Sequence, residues 1–283
     1  MNRQDLKNLL PLRPEKMHKG TRGRLLIAGG SEHYPGAPSL SALGALRTGA
    51  GVVTLLSCKT SCSACAARLP EIVFHAEDDK KLWADYALNG NFTAVVLGMG
   101  LERDEGALEF VYELWNKWPG KILVDGDGLF ALAKFKNDLS YRENAVITPH
   151  EGEAARLLDL TPEQIREDRT NAVKELAKKY GCAILKGHGT LVAYNDLTYA
   201  YNERVLQINR GGPELAVPGS GDVLSGCIGA FLGMGVDVFN ASVLGASIHG
   251  IAGDILSRDG VDGVLASEIA NTLREVIAQL RKE

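Results

Sequence analysis

The stretch AVPGSGDVLSGCIGAF, residues 216–231, sets a carboxylate, Asp222, at the end of a turn of small residues. Pro218 and Gly219 interrupt whatever precedes them. From Val223 onward Val223, Leu224, Cys227, Ile228 and Phe231 recur at helical spacing. Asp222 is therefore expected at a helix N-terminus. Such an end offers free N–H donors and a partial positive charge, a seat suited to phosphate. Gly219 and Gly221 would let a ligand approach the backbone closely. A carboxylate there repels phosphate unless it acts as a base or through a metal. Capping by Ser220 or Asp222 is the plainer alternative, and it leaves the two glycines unexplained.

Other groups could share that chemistry. Lys186-Gly187-His188-Gly189-Thr190 ends an apolar run, so small residues and an ammonium could hold a nucleotide's phosphates; a tight turn into a hairpin explains the same residues. His150, in TPHEGE, precedes a helical pattern and could face a crevice or cap the helix, with Glu153 three residues on as its capping partner. Asp125 and Asp127 flank Gly126. They could approach a magnesium ion through water or hold a turn by local hydrogen bonds. His33 and Tyr34 precede Pro35-Gly36-Ala37 in a polar loop able to cover a substrate. His249, beside the apolar stripe Val243, Leu244, Ile248, Ile251 and Ile255, reads as structural. Cys58, Cys62 and Cys65 have a spacing that resembles an iron–sulfur cluster loop, or they are small apolar residues at a helix start.

These residues need elements to position them. Strands are expected at Arg24–Ala28, Val52–Leu56, Ile72–His75, Ala94–Leu97, Ile122–Val124, Ala145–Ile147 and Ala183–Leu185. Helices are expected at Ser39–Thr48, Lys80–Leu88, Glu105–Trp118, Gly152–Leu158, Pro162–Lys179, Asp222–Met234, Val238–Ser257 and Ala266–Arg281. The alternation predicts an α/β fold with a mostly parallel sheet covered on both faces. A late hairpin is expected from Leu191–Tyr194 and Leu197–Tyr201, turning at Asn195-Asp196. With no long linker or repeat, the chain reads as one domain, residues 1–283. Ligands in such sheets bind at the carboxyl ends of strands. The polar, glycine-rich segments fall there repeatedly and predict a long crevice for something large and phosphorylated.

The bulk numbers are those of an ordinary soluble globular protein. The 283 residues are 45% hydrophobic and 23% charged, with a net charge of −4. That balance gives no reason to expect nucleic acid or a membrane as partner. No apolar run approaches a membrane span, and the first residues lack a signal peptide's apolar core. A cytoplasmic protein is expected, and five cysteines make no disulfide framework.

Taken together, the segments resemble the nucleotide-dependent NAD(P)H-hydrate dehydratases of the ribokinase-like superfamily. The resemblance rests on HKGTRG at 18–23, GALRTGAGVVTL, VLGMGL, LVDGDGL, ITPHEGE, LKGHGT and PGSGDVLSGCIGAFLGMG. They run in the family's order over nearly the whole chain. The epimerase domain often fused in this family has no counterpart here, so the freestanding form is expected. Gly212, Pro218, Glu151 and Met99 depart from the family's usual asparagine, glycine, proline and proline.

The resemblance implies a three-layer ribokinase-like α/β/α fold. It implies that ADP or ATP phosphorylates the ring hydroxyl of the S-epimer of hydrated NADH or NADPH, and that loss of phosphate restores the double bond. Asp222 would be the general base, and Ala37, Gly100, His150 and Asp222 would touch the hydrated substrate. Lys186, Gly187, His188, Gly189, Thr190, Gly219 and Gly221 would hold the adenine nucleotide. Magnesium would accompany the nucleotide. The enzyme would form a homo-oligomer and work beside a separate epimerase. A small-molecule kinase acting on a hydroxymethylpyrimidine, a thiazole or pyridoxal is the alternative within the same superfamily.

Overall fold

Near-continuous apolar runs of four to six residues become strands buried on both faces, the usual state of a parallel sheet. The computed structural model describes residues 2–13, 16, 22–196, 202–260 and 262–282. His18 to Thr21, part of the HKGTRG segment, lie outside them. In chain order the elements are α1 Arg3–Leu9, β1 Arg24–Ala28, α2 Ala37–Thr48, β2 Val52–Ser57, α3 Lys59–Ala66 and β3 Val73–Ala76. Then come α4 Trp83–Asn89, β4 Ala94–Leu97, α5 Glu105–Lys117, β5 Lys121–Val124, α6 Asp127–Phe135, β6 Ala145–Ile147 and α7 Glu151–Leu158. The remainder is α8 Pro162–Glu167, α9 Arg169–Tyr180, β7 Cys182–Leu185, β8 Thr190–Asp196, β9 Asn202–Ile208, α10 Ser220–Gly233, α11 Val238–Leu256 and α12 Ala266–Lys282.

The strands form one nine-stranded sheet in the order β3-β2-β1-β4-β5-β6-β7-β8-β9. The β3-to-β7 portion is parallel throughout, and only β7–β8 and β8–β9 are antiparallel. Strand periodicity of two divides the core. Leu25, Ile27, Val96 and Leu123 face the layer built from α2, α10, α11 and α12. Leu26, Ala28, Val95 and Val124 face the layer of α4, α5, α6, α7 and α9. The result is a three-layer α/β/α sandwich. On the first face α10 crosses α2 in backbone contact: a Cβ on Gly226 would lie 1.9 Å from the Ser41 carbonyl oxygen. That contact fixes α10 directly against α2.

Several boundaries differ from the sequence expectation. The hairpin does not turn at Asn195-Asp196, because β8 continues through both and Asp196 pairs with Asn202. Turn propensity of that dipeptide loses to a ladder partner, and residues 197–201, expected as the second strand, lie outside the described residues. The expected helix over Pro162–Lys179 is two helices broken at Asp168, whose carboxylate caps α9 through the Asn171 N–H at 2.9 Å. Helices α1 and α6 were not expected; both are short and open on polar residues that read as loop.

Cys58 is the N-cap of α3, while Cys62 and Cys65 are buried in the core. Burial, reinforced by the neighbouring cysteines, raises the Cys62 thiol to about 11. Burial raises Cys65 as well, so both thiols are packed in the protonated form as small side chains of the core. Among the described residues no helix is long and apolar enough to cross a membrane.

Candidate active site

The carboxyl ends of β1, β4, β5, β6 and β7 open onto the first turn of α10. Asp125 follows β5, Lys186 follows β7, and Glu153 lies in the first turn of α7. Lys186 Nζ donates to Asp125 Oδ1 at 2.8 Å and stands 3.9 Å from Glu153 Oε2. Ser225, one turn into α10, donates to the other Asp125 oxygen at 2.7 Å. A Cβ on Gly221 would lie 3.5 Å from Lys186 Nζ, so the ammonium sits against the helix start. Three carboxylates, Asp125, Glu153 and Asp222, thus share one lysine.

That imbalance sorts their protonation. Burial pushes Asp125 up, but the adjacent Lys186 and the hydroxyls of Ser225 and Thr148 outweigh it, and Asp125 stays ionised below the usual range. Burial alone would discharge Lys186; Asp125 and Glu153 hold it charged and raise its pKa. Asp222 lacks a hydrogen-bonding cation. Burial, with repulsion from Asp125, lifts it to about 7 against a weaker pull from Lys186. Glu153 is raised by burial too. Asp222 is therefore poised to exchange a proton near neutral pH.

The start of α10 lies two residues earlier than expected, so Asp222 sits inside the first turn. No side chain caps the helix, and Ser220 and Asp222 do not play the capping role that was the plainer alternative. Gly219 holds φ +86°, a left-handed conformation that favours glycine. The Ser220 N–H bonds the Val217 carbonyl and the Val223 N–H closes on Gly219. Helix geometry leaves the Gly221 and Asp222 N–H groups without intrahelical acceptors. His249, whose pKa burial lowers to about 4, is neutral and donates from Nε2 to the Ser220 carbonyl at 3.0 Å. It braces the turn through this bond while also lining the adjoining cavity.

Two cavities meet at this turn. One, of about 690 Å³, is lined by Lys186, Gly187, His188, Thr190, Gly221 and His249 among others. The other, of about 590 Å³, is lined by Tyr34, Ala37, Gly100, Asp127, Glu153 and Asp222 among others. Both have the size of small-ligand pockets. Gly189 and Gly219 form the turns beside the first cavity. Gly100 lets the β4 loop touch the β1 loop, since a Cβ there would lie 2.6 Å from Tyr34 Cβ. A larger depression of about 730 Å³ lies beside α5; it shares Arg103 with the second cavity but is lined by none of Asp125, Glu153, Lys186 and Asp222.

His150 lines neither cavity. Its Nδ1 accepts the Gly152 and Glu153 N–H groups at 3.0 and 3.4 Å, and its own N–H bonds Glu153 at 2.8 Å. This capping box leaves only Nε2 free, on an exposed ring edge near Glu153. Asp127 accepts the Glu102 N–H at 2.9 Å and the Arg103 Nε at 2.8 Å, the turn-holding alternative.

Asp125 and Asp127 are both engaged in these contacts, and among the described residues no three or more His, Cys, Asp or Glu side chains cluster so as to hold a metal ion by themselves. Sequence reasoning missed Ser225, Glu153's link to Lys186, and Arg169, which Glu151 pairs with and which braces the Leu185 carbonyl at 3.3 Å. The carboxylate at position 151 was visible as a departure, but nothing local pointed to its partner eighteen residues on.

The model for NAD(P)H-hydrate dehydratases matches residues 25–275. An ADP-dependent (S)-NAD(P)H-hydrate dehydratase from Neisseria meningitidis serogroup B is 37% identical over 93% of this chain and 87% of its own length. The crystal structure of the ADP/ATP-dependent NAD(P)H-hydrate dehydratase of Bacillus subtilis, co-crystallised with ATP/Mg2+, superposes with a TM-score of 0.87 at 27% identity, covering 99% of this chain and 97% of that one. Arabidopsis thaliana ribokinase shares the fold alone, with a TM-score of 0.57 at 12% identity over 94% of this chain and 100% of that one. The chain spans about half the length of the first curated relatives it matches, which are bifunctional NAD(P)H-hydrate repair enzymes. With the match running through β1 to α12 and the fold shared end to end, this chain belongs to the NAD(P)H-hydrate dehydratase family.

Proposed function

We propose that the protein dehydrates the S-epimer of hydrated NADH or NADPH at the expense of ADP or ATP. One observation carries the reading: Asp222 lines one cavity while Gly221, the residue before it, lines the other. The adenine nucleotide occupies the side of Lys186, Gly187, His188, Gly189, Thr190, Gly219 and Gly221. The hydrated nicotinamide occupies the side of Ala37 and Gly100, with His150 at its rim. The nucleotide's terminal phosphate then faces the free N–H groups of Gly221 and Asp222, and Lys186 adds its charge.

Asp222 takes the proton of the ring hydroxyl as its oxygen attacks phosphorus, and the shortened nucleotide leaves. The ring nitrogen then expels the phosphate, breaking the C–O bond, and loss of a proton from the adjacent carbon restores the double bond. A pKa of about 7 suits a group that receives a proton at neutral pH. Magnesium belongs to this reading only as a companion of the nucleotide's phosphate oxygens, because it keeps waters and binds through few carboxylates.

The same reading includes a cytoplasmic homo-oligomer, residues 1–283 as one domain, and a separate epimerase supplying the S-epimer. The single continuous sheet supports the domain assignment. The test is incubation of hydrated NADH with ADP or ATP in turn. Recovery of reduced-nicotinamide absorbance with equal release of phosphate is expected. A stable phosphorylated product without recovery would place the protein among the small-molecule kinases instead.

A further inference from the structure

At the opposite edge of the sheet, where strands begin, three arginines converge without an acidic partner among the described residues. Arg22 precedes β1, Arg13 follows α1, and Arg281 lies in the last turn of α12. A Cβ on Gly49, the residue that ends α2, would lie 3.7 Å from Arg13 Nη2 and 3.9 Å from Arg22 Nη1. Both guanidinium groups therefore stand over one backbone position. Arg281 donates from Nη2 to the Pro11 carbonyl at 2.9 Å, and its Nε is buried with no hydrogen-bond partner. The three surround a small cavity of about 20 Å³, also lined by Thr48, Gly49, Phe231 and Met234.

Nothing in the described residues neutralises the cluster. None of the three arginines has a carboxylate within ion-pair distance among the described residues. The carboxyl end of α2 supplies only about half a negative charge. The groups repel one another: burial and its two neighbours hold Arg281 below its ordinary pKa, and burial and Arg22 do the same to Arg13. An anion entering the cavity would offset this repulsion. The cavity's size admits the tip of one oxyanion and excludes a nucleoside. Guanidinium forks match tetrahedral phosphate oxygens, and a dianion balances more of the charge than a carboxylate does.

We propose that Arg13, Arg22 and Arg281 form a binding site for a single phosphate group, separate from the active site and on the other edge of the sheet. The group is either free phosphate or the terminal phosphate of a small monoester whose remainder stays in solvent. It fills the orphaned donor of Arg281 and removes the repulsion. The site faces away from the α10 turn, so its loss leaves the two cavities at the active site unchanged.

The test compares the wild type with Arg13→Gln and Arg22→Gln by calorimetric titration of inorganic phosphate and of glycerol 3-phosphate. Melting temperatures are measured at the same ionic strength in chloride. Each substitution should weaken the arginine-dependent binding about tenfold. In low-salt chloride both variants should melt above the wild type, because a like charge is gone. In phosphate the order should reverse. Binding of inorganic phosphate would identify the free ion as occupant, and binding of glycerol 3-phosphate alone would identify a monoester. Equal affinities in wild type and both variants, or melting temperatures that do not respond to either probe, would overturn the site. Arg13 is exposed, so its variant keeps the test valid if Arg22→Gln folds poorly.

Discussion

Asp222 is the residue on which the chemistry turns, and it makes two opposite demands. Asp222→Asn should lower turnover by about 10²–10⁴, the usual cost of losing a general base, while nucleotide affinity stays near wild type. Retention of more than about half the rate would remove Asp222 from that role. The same substitution should stabilise the fold at high pH. The native carboxyl sits at about 7 against an ordinary 3.8, so the native state holds a proton that the unfolded chain has released. Wild-type stability is therefore lost as pH rises between those two values. The asparagine variant should be more stable by on the order of a few kcal/mol above that window and equal to wild type below it. Urea denaturation at pH values on either side of the window checks the sign. After burial, Asp125 adds to that rise from next door. Asp125→Asn removes its repulsion and frees Lys186 toward Asp222, so the acid limb of the rate profile should move to lower pH. An unmoved limb would mean that Asp125 does not act on Asp222.

At the scale of elements, α7 and α10 enter the site through their first turns and can be separated experimentally. His150 closes a capping box on α7, so His150→Ala should cost about 1 kcal/mol of stability. It should also weaken the dinucleotide by roughly 5–30-fold, from a lost hydrogen bond and ring contact. His150→Asn restores a capping side chain and should recover the stability but not the affinity. Full recovery of both would reduce His150 to a cap. Gly221→Val, at the start of α10, should do the reverse and weaken ADP or ATP far more than the dinucleotide, because its side chain would fill the space before Lys186. Titrating both ligands against both variants decides whether the two cavities are independent.

Over the whole molecule, a bound nucleotide should protect residues 187–190 and 219–223 together in hydrogen exchange, since both segments line one cavity. Protection confined to 29–38 would mean the nucleotide sits elsewhere. The sequence alone determined the layered α/β architecture, most parallel strands to within a residue, and the placement of Asp222 in a helix start, because periodicity and glycine turns are local properties. It also led to the family, through segments such as LVDGDGL and LKGHGT that keep their order. It did not determine what those segments do to one another. Asp125 was legible as an acid after a strand; that it holds Lys186 and Ser225, from positions 61 and 100 residues away, was not. His150 was legible as a ligand-facing group or a cap; the fold builds the cap through Nδ1 and leaves the Nε2 edge exposed. The hairpin register and the breadth of each cavity were likewise decided only in three dimensions. Hydrophobic pattern selects which face of an element is buried. Which polar groups then meet depends on strand order and crossing geometry, and these come from the packing of the whole sheet against both helix layers.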